Sequence, residues 1–135
     1  MSLHTFRGSC HCQRVTFDVQ LDLSLGSERC NCTYCSKVRN WVMIVKPSAL
    51  TLLTGEDSLT DYLGLKRQAH QLFCKVCGVR TWGKGHLEQV GGDYLSVNLA
   101  CLDDVPPERL MEAPVRYGNG RENDWMHAPA YTKHL

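Results

Sequence analysis

The sequence lacks the features that mark membrane, secreted and nucleic-acid-binding proteins. Its 135 residues contain no apolar run that approaches the roughly 20 residues needed to cross a bilayer. The opening MSLHTFRGSC has no positively charged segment followed by an apolar one, so it does not resemble a signal peptide. With 15 basic and 14 acidic residues, the formal net charge of +1 gives no attraction to nucleic acid or to an anionic membrane. We therefore expect a cytoplasmic protein with neither a nucleic-acid nor a membrane partner.

Internal repeats, linkers and low-complexity segments are also absent from the sequence. The hydrophobic fraction of 43% is that of an ordinary globular protein. A chain of this length buries about two-thirds of its unfolded surface when it folds as one unit. We expect a single domain over residues 1–135, and the composition gives no indication of its oligomeric state.

Cysteine, by contrast, is abundant, and seven of the eight cysteines fall in three short groups. The groups are SCHC, with Cys10 and Cys12, CNCTYC, with Cys30, Cys32 and Cys35, and FCKVCG, with Cys74 and Cys77. Thiols stay reduced in the cytoplasm, and cysteines separated by one residue are poorly placed to form several disulfides. Thiolate ligation of a metal explains the grouping better than disulfides or a redox pair, which remain the alternatives.

The first and third groups together match a closed zinc site. FCKVCG lies between two strand-like segments and has the form of a zinc knuckle, in which Gly78 permits the positive φ that the turn requires. A knuckle supplies two ligands, and SCHC supplies the other two at the start of the strand-like segment 15–21. We therefore predict a structural zinc ion held by four residues, Cys10, Cys12, Cys74 and Cys77.

The middle group predicts a different kind of site. CNCTYC brings three thiolates from one short loop, and no fourth ligand stands nearby in the sequence. Zinc held by three protein ligands keeps an open position for water or substrate, which is typical of catalytic zinc. We therefore predict that Cys30, Cys32 and Cys35 bind a catalytic zinc ion.

Cys101 and histidine are the other residues that could supply a fourth ligand. Cys101 lies in phase with Leu95, Val97 and Leu99 on the apolar face of a predicted strand, so we assign it to the core. None of the six histidines has ligand spacing to the three cysteines of CNCTYC; they are residues 4, 11, 70, 86, 127 and 134.

Strand patterns cover most of the chain. Residues 15–21 alternate strictly between apolar and polar side chains, which indicates a strand with one buried face. The continuous apolar segment 41–46 indicates a strand buried on both faces. Other strands are predicted within segments 49–55, 58–63, 67–73, 79–85 and 94–102.

One segment favours a helix, and the end of the chain is rich in turn residues. The helix is predicted near residues 104–112, after Asp103 and Asp104 and with prolines in its first turn. The final segment is polar, but Trp125 and Tyr131 predict that it packs back onto the body. The sequence therefore predicts a mainly β fold with one short helix.

Several motifs, in this order and spacing, resemble the glutathione-dependent formaldehyde-activating enzyme family, which also includes centromere protein V. They are GSCHC followed by VTFDV, then CNCTYCSK, LLTGEDSLTDY, HQLFCKVCGVRTWGKG and LSVNLACLDDV, over about residues 5–105. The resemblance implies twisted antiparallel sheets of the β-tent type with two zinc ions, divided among the cysteine groups as above. Gln13 departs from the family, which usually has glycine after the first cysteine pair.

The resemblance also implies an activity. The family reaction joins glutathione to formaldehyde and gives S-(hydroxymethyl)glutathione, formally a carbon–sulfur lyase reaction in reverse. Zn²⁺ with three thiolates has a net charge of about −1, so it activates water poorly but suits a soft thiolate as its fourth ligand. We therefore predict a carbon–sulfur lyase-type enzyme with zinc as cofactor, glutathione as co-substrate, and a small thiol and aldehyde as partners.

Other functions fit the same residues. A non-enzymatic zinc module could bind or carry glutathione adducts, or act as an interaction scaffold. A redox dithiol is less well supported, because no βαβ pattern surrounds either C-x-x-C motif. An iron–sulfur cluster is disfavoured because the cysteine spacing matches neither common ferredoxin pattern.

Overall fold

A computed structural model of the chain describes residues 3–64 and 69–135. Within these residues the fold is mainly β, as predicted, with strands β1 His4–Ser9, β2 Thr16–Leu21, β3 Ser27–Cys30, β4 Val42–Val45, β5 Leu50–Thr54, β6 Leu59–Leu63, β7 Ala69–Cys74, β8 Arg80–Leu87, β9 Gly92–Asn98 and β10 Val115–Gly118. The helices of the described residues are α1 Thr33–Val38 and α2 Pro107–Glu112, together with several short 3-10 turns. Residues 67 and 68, which begin a predicted strand, lie outside the described residues.

The strands form two sheets. One has three strands in the order β1-β2-β5, and the other has seven in the order β10-β3-β4-β9-β8-β7-β6. Neighbouring strands are antiparallel, except that β10 runs parallel to β3. The predicted antiparallel arrangement is therefore correct for all but this one pair. No helix of the described residues is both long and apolar enough to pass through a membrane.

The core lies where the two sheets face each other. The four apolar side chains that alternate along residues 15–21 are buried, with at most 1% of each exposed, as predicted. One of them, Phe17, meets the ring of Trp82 edge to face, with ring centroids 5.2 Å apart. A Cβ atom on Gly8 would lie 2.5 Å from the Phe17 ring, so β1 can approach β2 this closely only with glycine at that position.

Two of the strand predictions need correction. The segment 41–46 is not buried on both faces, because Met43 alone is buried in β4 and its neighbours are partly exposed. The predicted strand 94–102 ends earlier, since Asn98 closes β9 and its side chain accepts the Ala100 N–H to begin the 3-10 turn Leu99–Cys101. Cys101 nevertheless lies in the core, with 5% exposed, as predicted.

The helix predictions were also incomplete. The helix predicted near residues 104–112 begins only at Pro107, because Asp103 and Asp104 bind β1 instead of capping the helix. The Asp103 carboxylate accepts the Ser9 hydroxyl at 2.6 Å, and Asp104 accepts the Arg7 N–H at 3.0 Å. Helix α1, in the middle of the cysteine-rich loop, was not predicted, and neither were strands β1, β3 and β10.

The C-terminal segment packs back onto the body, but not through burial of the two predicted aromatic residues. Trp125 and Tyr131 are 63% and 79% exposed. The buried residue is Leu135, whose main-chain oxygen accepts a guanidinium N–H of Arg39 at 3.5 Å. Trp125 instead lies against the backbone of Gly118, which brings its exposed ring to the edge of the second cysteine group.

Candidate metal centres

The first and third cysteine groups meet between the two sheets. Cys10 follows β1, Cys74 ends β7, and the sulfur atoms of these residues and of Cys12 and Cys77 all lie within 4.8 Å of one another. Cys12 Sγ is 3.7 Å from both Cys10 Sγ and Cys74 Sγ. A tetrahedral zinc ion with Zn–S bonds near 2.3 Å requires sulfur atoms about 3.8 Å apart. The two measured separations therefore match a tetrahedral zinc site, and the four sulfur atoms lie close enough together to bind one ion.

Two tight turns bring these sulfur atoms together. In the turn of the third group, the Gly78 N–H donates to the Cys74 carbonyl at 2.7 Å, and Gly78 has the predicted positive φ, at 80°. In the turn of the first group, the Gln13 N–H donates to the Cys10 carbonyl at 3.1 Å, and Gln13 has a φ of 66°. Gln13 thus adopts a conformation that favours glycine.

The pKa values of the thiols in this four-cysteine centre indicate that it binds a cation. Burial raises the pKa of Cys10 to about 11. Although burial opposes its ionisation, backbone N–H groups at Cys12 and Val79 lower the pKa of Cys77 to about 6. Cys77 therefore loses its proton easily, whereas Cys10 keeps its proton. All four residues can be thiolates at the same time only when a metal ion balances their negative charge.

The second cysteine group is held by the start of α1. Cys30 ends β3, Cys32 caps the N-terminus of α1, and Cys35 lies in the first turn of that helix. Cys32 Sγ accepts the Cys35 N–H at 3.3 Å, and Cys30 Sγ accepts the Cys32 N–H at 3.3 Å. These bonds direct all three sulfur atoms to one place, where they lie within 4.8 Å of one another. We call this group the three-cysteine centre.

The thiols of the three-cysteine centre influence one another strongly. Hydrogen bonds from Cys30 and Cys35 lower the pKa of Cys32 to about 2. Hydrogen bonds with Cys30 and Cys32 raise the pKa of Cys35, and burial raises it further. The side-chain amide of Asn40 donates to Cys35 Sγ at 3.4 Å, which orients this sulfur atom.

No fourth ligand joins the three-cysteine centre in the part of the chain that the structure describes. Cys101 is in neither cluster, and its thiol donates to the main-chain oxygen of Arg80 at 3.4 Å. Three of the histidines pair with carboxylates; among them, His86 lies 2.7 Å from Asp93, and His127 lies 3.1 Å from Asp124. The donor set of three thiolates therefore fits a zinc ion with one open position.

The walls of the three-cysteine centre come from distant segments. A Cβ atom on Gly120 would lie 2.6 Å from Cys30 Sγ and 2.7 Å from the Trp125 ring. On another side, the ring of Tyr34 stacks on that of Tyr62 in β6, with centroids 5.7 Å apart. Sequence reasoning singled out none of Gly120, Tyr34 and Asn40. The available signal was the glycine-rich YGNG of residues 117–120, which indicates a close backbone approach.

A pocket of about 390 Å³ opens beside this centre. Asn31, which lies between Cys30 and Cys32, lines it together with Arg121 and Tyr131. The Arg121 guanidinium donates to the Asn31 main-chain oxygen at 3.1 Å, which fixes the C-terminal segment against the centre. The pocket volume lies within the range of small-molecule sites.

Comparisons with known proteins agree with these observations. Residues 5–117, which include both cysteine centres, match the family described as glutathione-dependent formaldehyde-activating enzyme. A solved crystal structure of a Rhodobacter sphaeroides protein is also similar, with 31% sequence identity and a TM-score of 0.67. That similarity covers 82% of this chain and 99% of the other. The chain therefore belongs to the glutathione-dependent formaldehyde-activating enzyme family.

Proposed function

We propose that the protein is a zinc-dependent carbon–sulfur lyase-type enzyme that joins glutathione to formaldehyde, or to another small aldehyde, to give S-(hydroxymethyl)glutathione. The observation that carries this proposal is the convergence of three sulfur atoms with no fourth ligand among the described residues. Membership of the family supports the identity of the thiol and of the aldehyde. In this proposal the cytoplasm is the site of action, where glutathione and protein thiols stay reduced.

The two cysteine centres have different roles in the proposal. Cys10, Cys12, Cys74 and Cys77 hold a structural zinc ion, because all four positions of a tetrahedral ion are taken there. Cys30, Cys32 and Cys35 hold the second zinc ion, which leaves one position for the incoming thiol. When bound there, zinc lowers the pKa of that thiol and presents it as a soft nucleophile.

The residues around the three-cysteine centre prepare it for this ligand. N–H groups of Cys32, Cys35 and Asn40 donate to the protein sulfur atoms and hold them in place. Because Gly120 has no side chain, the backbone after β10 packs closely against Cys30 Sγ and forms one wall of the centre. The pocket lined by Asn31 and Arg121 lies beside the loop that carries Cys30 and Cys32, and it gives a peptide-like thiol room to bind there.

The reaction itself is an addition. The thiol loses its proton, its sulfur forms a bond to the carbonyl carbon, and the carbonyl oxygen takes up a proton to become a hydroxyl. Thiols add to formaldehyde readily without help, so the barrier that an enzyme can lower is small. A test of activity must therefore measure exchange between free formaldehyde and the adduct, and compare it with the rate in buffer alone.

The variant Cys32→Ser tests the proposal. It should keep the fold, lower the zinc content from about two ions to about one ion per chain, and abolish glutathione binding together with accelerated exchange measured by NMR. Cys101→Ala is the control, because it removes a buried thiol that belongs to neither centre. If the wild type binds glutathione without accelerating exchange, the protein is a carrier of glutathione or its adduct. If it binds no thiol at all, a zinc-stabilised interaction module is the remaining alternative.

A further inference from the structure

Arg80 carries a buried positive charge that no carboxylate of the described residues balances. Only 8% of the residue is exposed. Its Nε donates to Gln71 Oε1 at 2.7 Å, and its Nη2 donates to Ser96 Oγ at 2.8 Å, so both of these acceptors are neutral. Its Nη1 is buried and has no hydrogen-bond partner among the described residues. An isolated buried charge is strongly unfavourable, so an arrangement of this kind indicates an anion nearby.

The sheet reserves space for this guanidinium group. Gly83 in β8 pairs in register with Gln71 on one side and with Ser96 on the other. A Cβ atom on Gly83 would lie 2.7 Å from Arg80 Nη2, 2.6 Å from Ser96 Oγ and 2.9 Å from Gln71 Oε1. Three adjacent strands thus form a cradle that any side chain at position 83 would fill.

The cradle lies next to the three-cysteine centre. Gln71 pairs with Tyr62 of β6, whose ring stacks on Tyr34, the residue directly before Cys35. Burial lowers the pKa of Arg80, and the nearby Tyr34, Cys35 and Cys101 side chains oppose that shift. Helix α1 therefore lies over the same part of the sheet that holds the guanidinium group, with Cys35 within reach of its charge.

We infer that Arg80 is the internal counter-charge of the three-cysteine centre, and that it favours an anionic fourth ligand, a thiolate, over a neutral one. The inference rests on the proposed function, since it concerns the ligand that completes the same centre. Three thiolates around a divalent cation have a net charge of about −1, and a fourth thiolate makes it about −2. A fixed positive charge in a buried cradle offsets this accumulation without direct contact with the reacting atoms. Arg80 is thus a positioning residue.

Cobalt-loaded protein gives a readout that does not depend on turnover. With Co²⁺ in place of zinc, binding of a fourth ligand changes the absorption spectrum, so dissociation constants can be measured for 2-mercaptoethanol and for imidazole. The first ligand binds as a thiolate and the second is neutral. In Arg80→Gln the dissociation constant of the thiol should rise at least about tenfold, while that of imidazole should change less than about threefold.

Arg116→Gln is the matched control, because it removes the same charge from an exposed side chain of β10 that is 62% accessible. Both dissociation constants should stay within about threefold of the wild type there, since solvent screens an exposed charge. If Arg80→Gln lost affinity for the thiol and for imidazole by the same factor, the inference would be overturned, and Arg80 would have a purely structural role. A wild type that binds no thiol at the cobalt centre would overturn the proposed function, and the inference with it.

Arg80→Lys provides a second variant, in case Arg80→Gln does not fold. Lysine keeps the positive charge and loses the fork of donors that reaches both Gln71 and Ser96. The ratio of the two dissociation constants should therefore stay within about threefold of the wild type. A tenfold loss of the preference for thiolate with the charge still present would contradict the inference.

Discussion

A Cβ atom on Gly120 would lie only 2.6 Å from Sγ of Cys30, so the segment after β10 closes over the three-cysteine centre with no room for a side chain. The same Cβ atom would lie 2.7 Å from the ring of Trp125, whose own position is fixed against Gly118. The C-terminal segment is therefore a wall of the centre, although it contributes no sulfur atom to it.

Replacing Gly120 by alanine should damage the centre and spare the fold. The added methyl group presses on Cys30 Sγ and Trp125, and at least one of them must move away. The sulfur atom would leave the position that a three-thiolate centre requires, so metal affinity at this centre should fall about tenfold or more. Competition with a chelator measures this loss, and circular dichroism verifies that the fold is intact.

Gly64→Ala is the control for this prediction. A Cβ atom at Gly64 would meet no atom of residues 3–64 and 69–135 within 4 Å, and its φ is not positive, so the variant should bind metal as the wild type does. If Gly120→Ala also kept the wild-type metal affinity, the C-terminal segment would be able to move away from Cys30 without cost. It would then have no part in shaping the centre.

The division of the cysteines could be predicted from the sequence because each group is local. Spacing alone placed two sulfur atoms in each of two turns and three in one loop, and Gly78 marked the turn of the third group. Helix α1 could not be predicted, because it has only six residues and its cap is Cys32 in place of the usual serine, threonine or aspartate. The sequence pattern therefore indicated a loop there.

The surroundings of the centres could not be predicted, because they depend on strand register. The cradle of Arg80 exists only because Gly83 lies between Gln71 and Ser96 in neighbouring strands, and no local pattern specifies that pairing. In the sequence, VRTWGKG indicates a strand and nothing more. The contact between Gly120 and Cys30 likewise joins segments that are far apart in the chain.

Cys74→Ser should unfold the protein or lower its free energy of unfolding by several kcal/mol. Cys74 is fully buried where β7 ends, and its sulfur atom lies 3.7 Å from Cys12 Sγ. A structural zinc ion contributes on the order of 10 kcal/mol to folding, which is comparable with the whole stability of a domain of this size. Thermal unfolding of the purified variant, or its recovery in the soluble fraction, measures the effect.

The comparison for Cys74→Ser is Cys32→Ser, which removes one thiol from the other centre. Cys32 is only partly buried, and no sulfur atom of the four-cysteine centre depends on it. We expect its melting temperature to stay close to that of the wild type. A Cys74→Ser protein with an unchanged melting temperature would mean that the structural role is assigned to the wrong centre.

Gln13→Gly should stabilise the protein. Gln13 has a φ of 66°, a conformation that is costly for any residue with a Cβ atom and costs glycine little. Its side chain is exposed, so little packing is lost. After the greater freedom of glycine in the unfolded chain is subtracted, the free energy of unfolding should rise by about 0.5–1 kcal/mol.

Denaturant unfolding in the presence of zinc measures this gain, and Gln13→Ala serves as the control. Alanine keeps the Cβ atom and therefore keeps the penalty of positive φ, so it should not stabilise. Equal stabilisation by both variants would show that the glutamine side chain, and not the backbone conformation, is responsible.

Metal binding at the three-cysteine centre should release protons, because ligating thiols must be ionised. Hydrogen bonds from its neighbours lower the pKa of Cys32 to about 2, so this thiol has already lost its proton near neutral pH. The hydrogen bond with Cys32 raises the pKa of Cys30, and hydrogen bonds with Cys30 and Cys32 raise that of Cys35, so these two thiols remain protonated near neutral pH. Loading the centre should therefore release about two protons, one from each.

The logarithm of the apparent metal affinity should accordingly rise by about two for each unit of pH, from about pH 6 to about pH 8. The sign follows from mass action, since a higher pH removes the protons that compete with the metal. Competition titrations against a chelator of known affinity, with the four-cysteine centre kept loaded, measure the slope. Calorimetry in buffers of different ionisation enthalpy counts the released protons independently. A slope near three would mean that Cys32 is protonated in the free centre and that its neighbours do not support its charge.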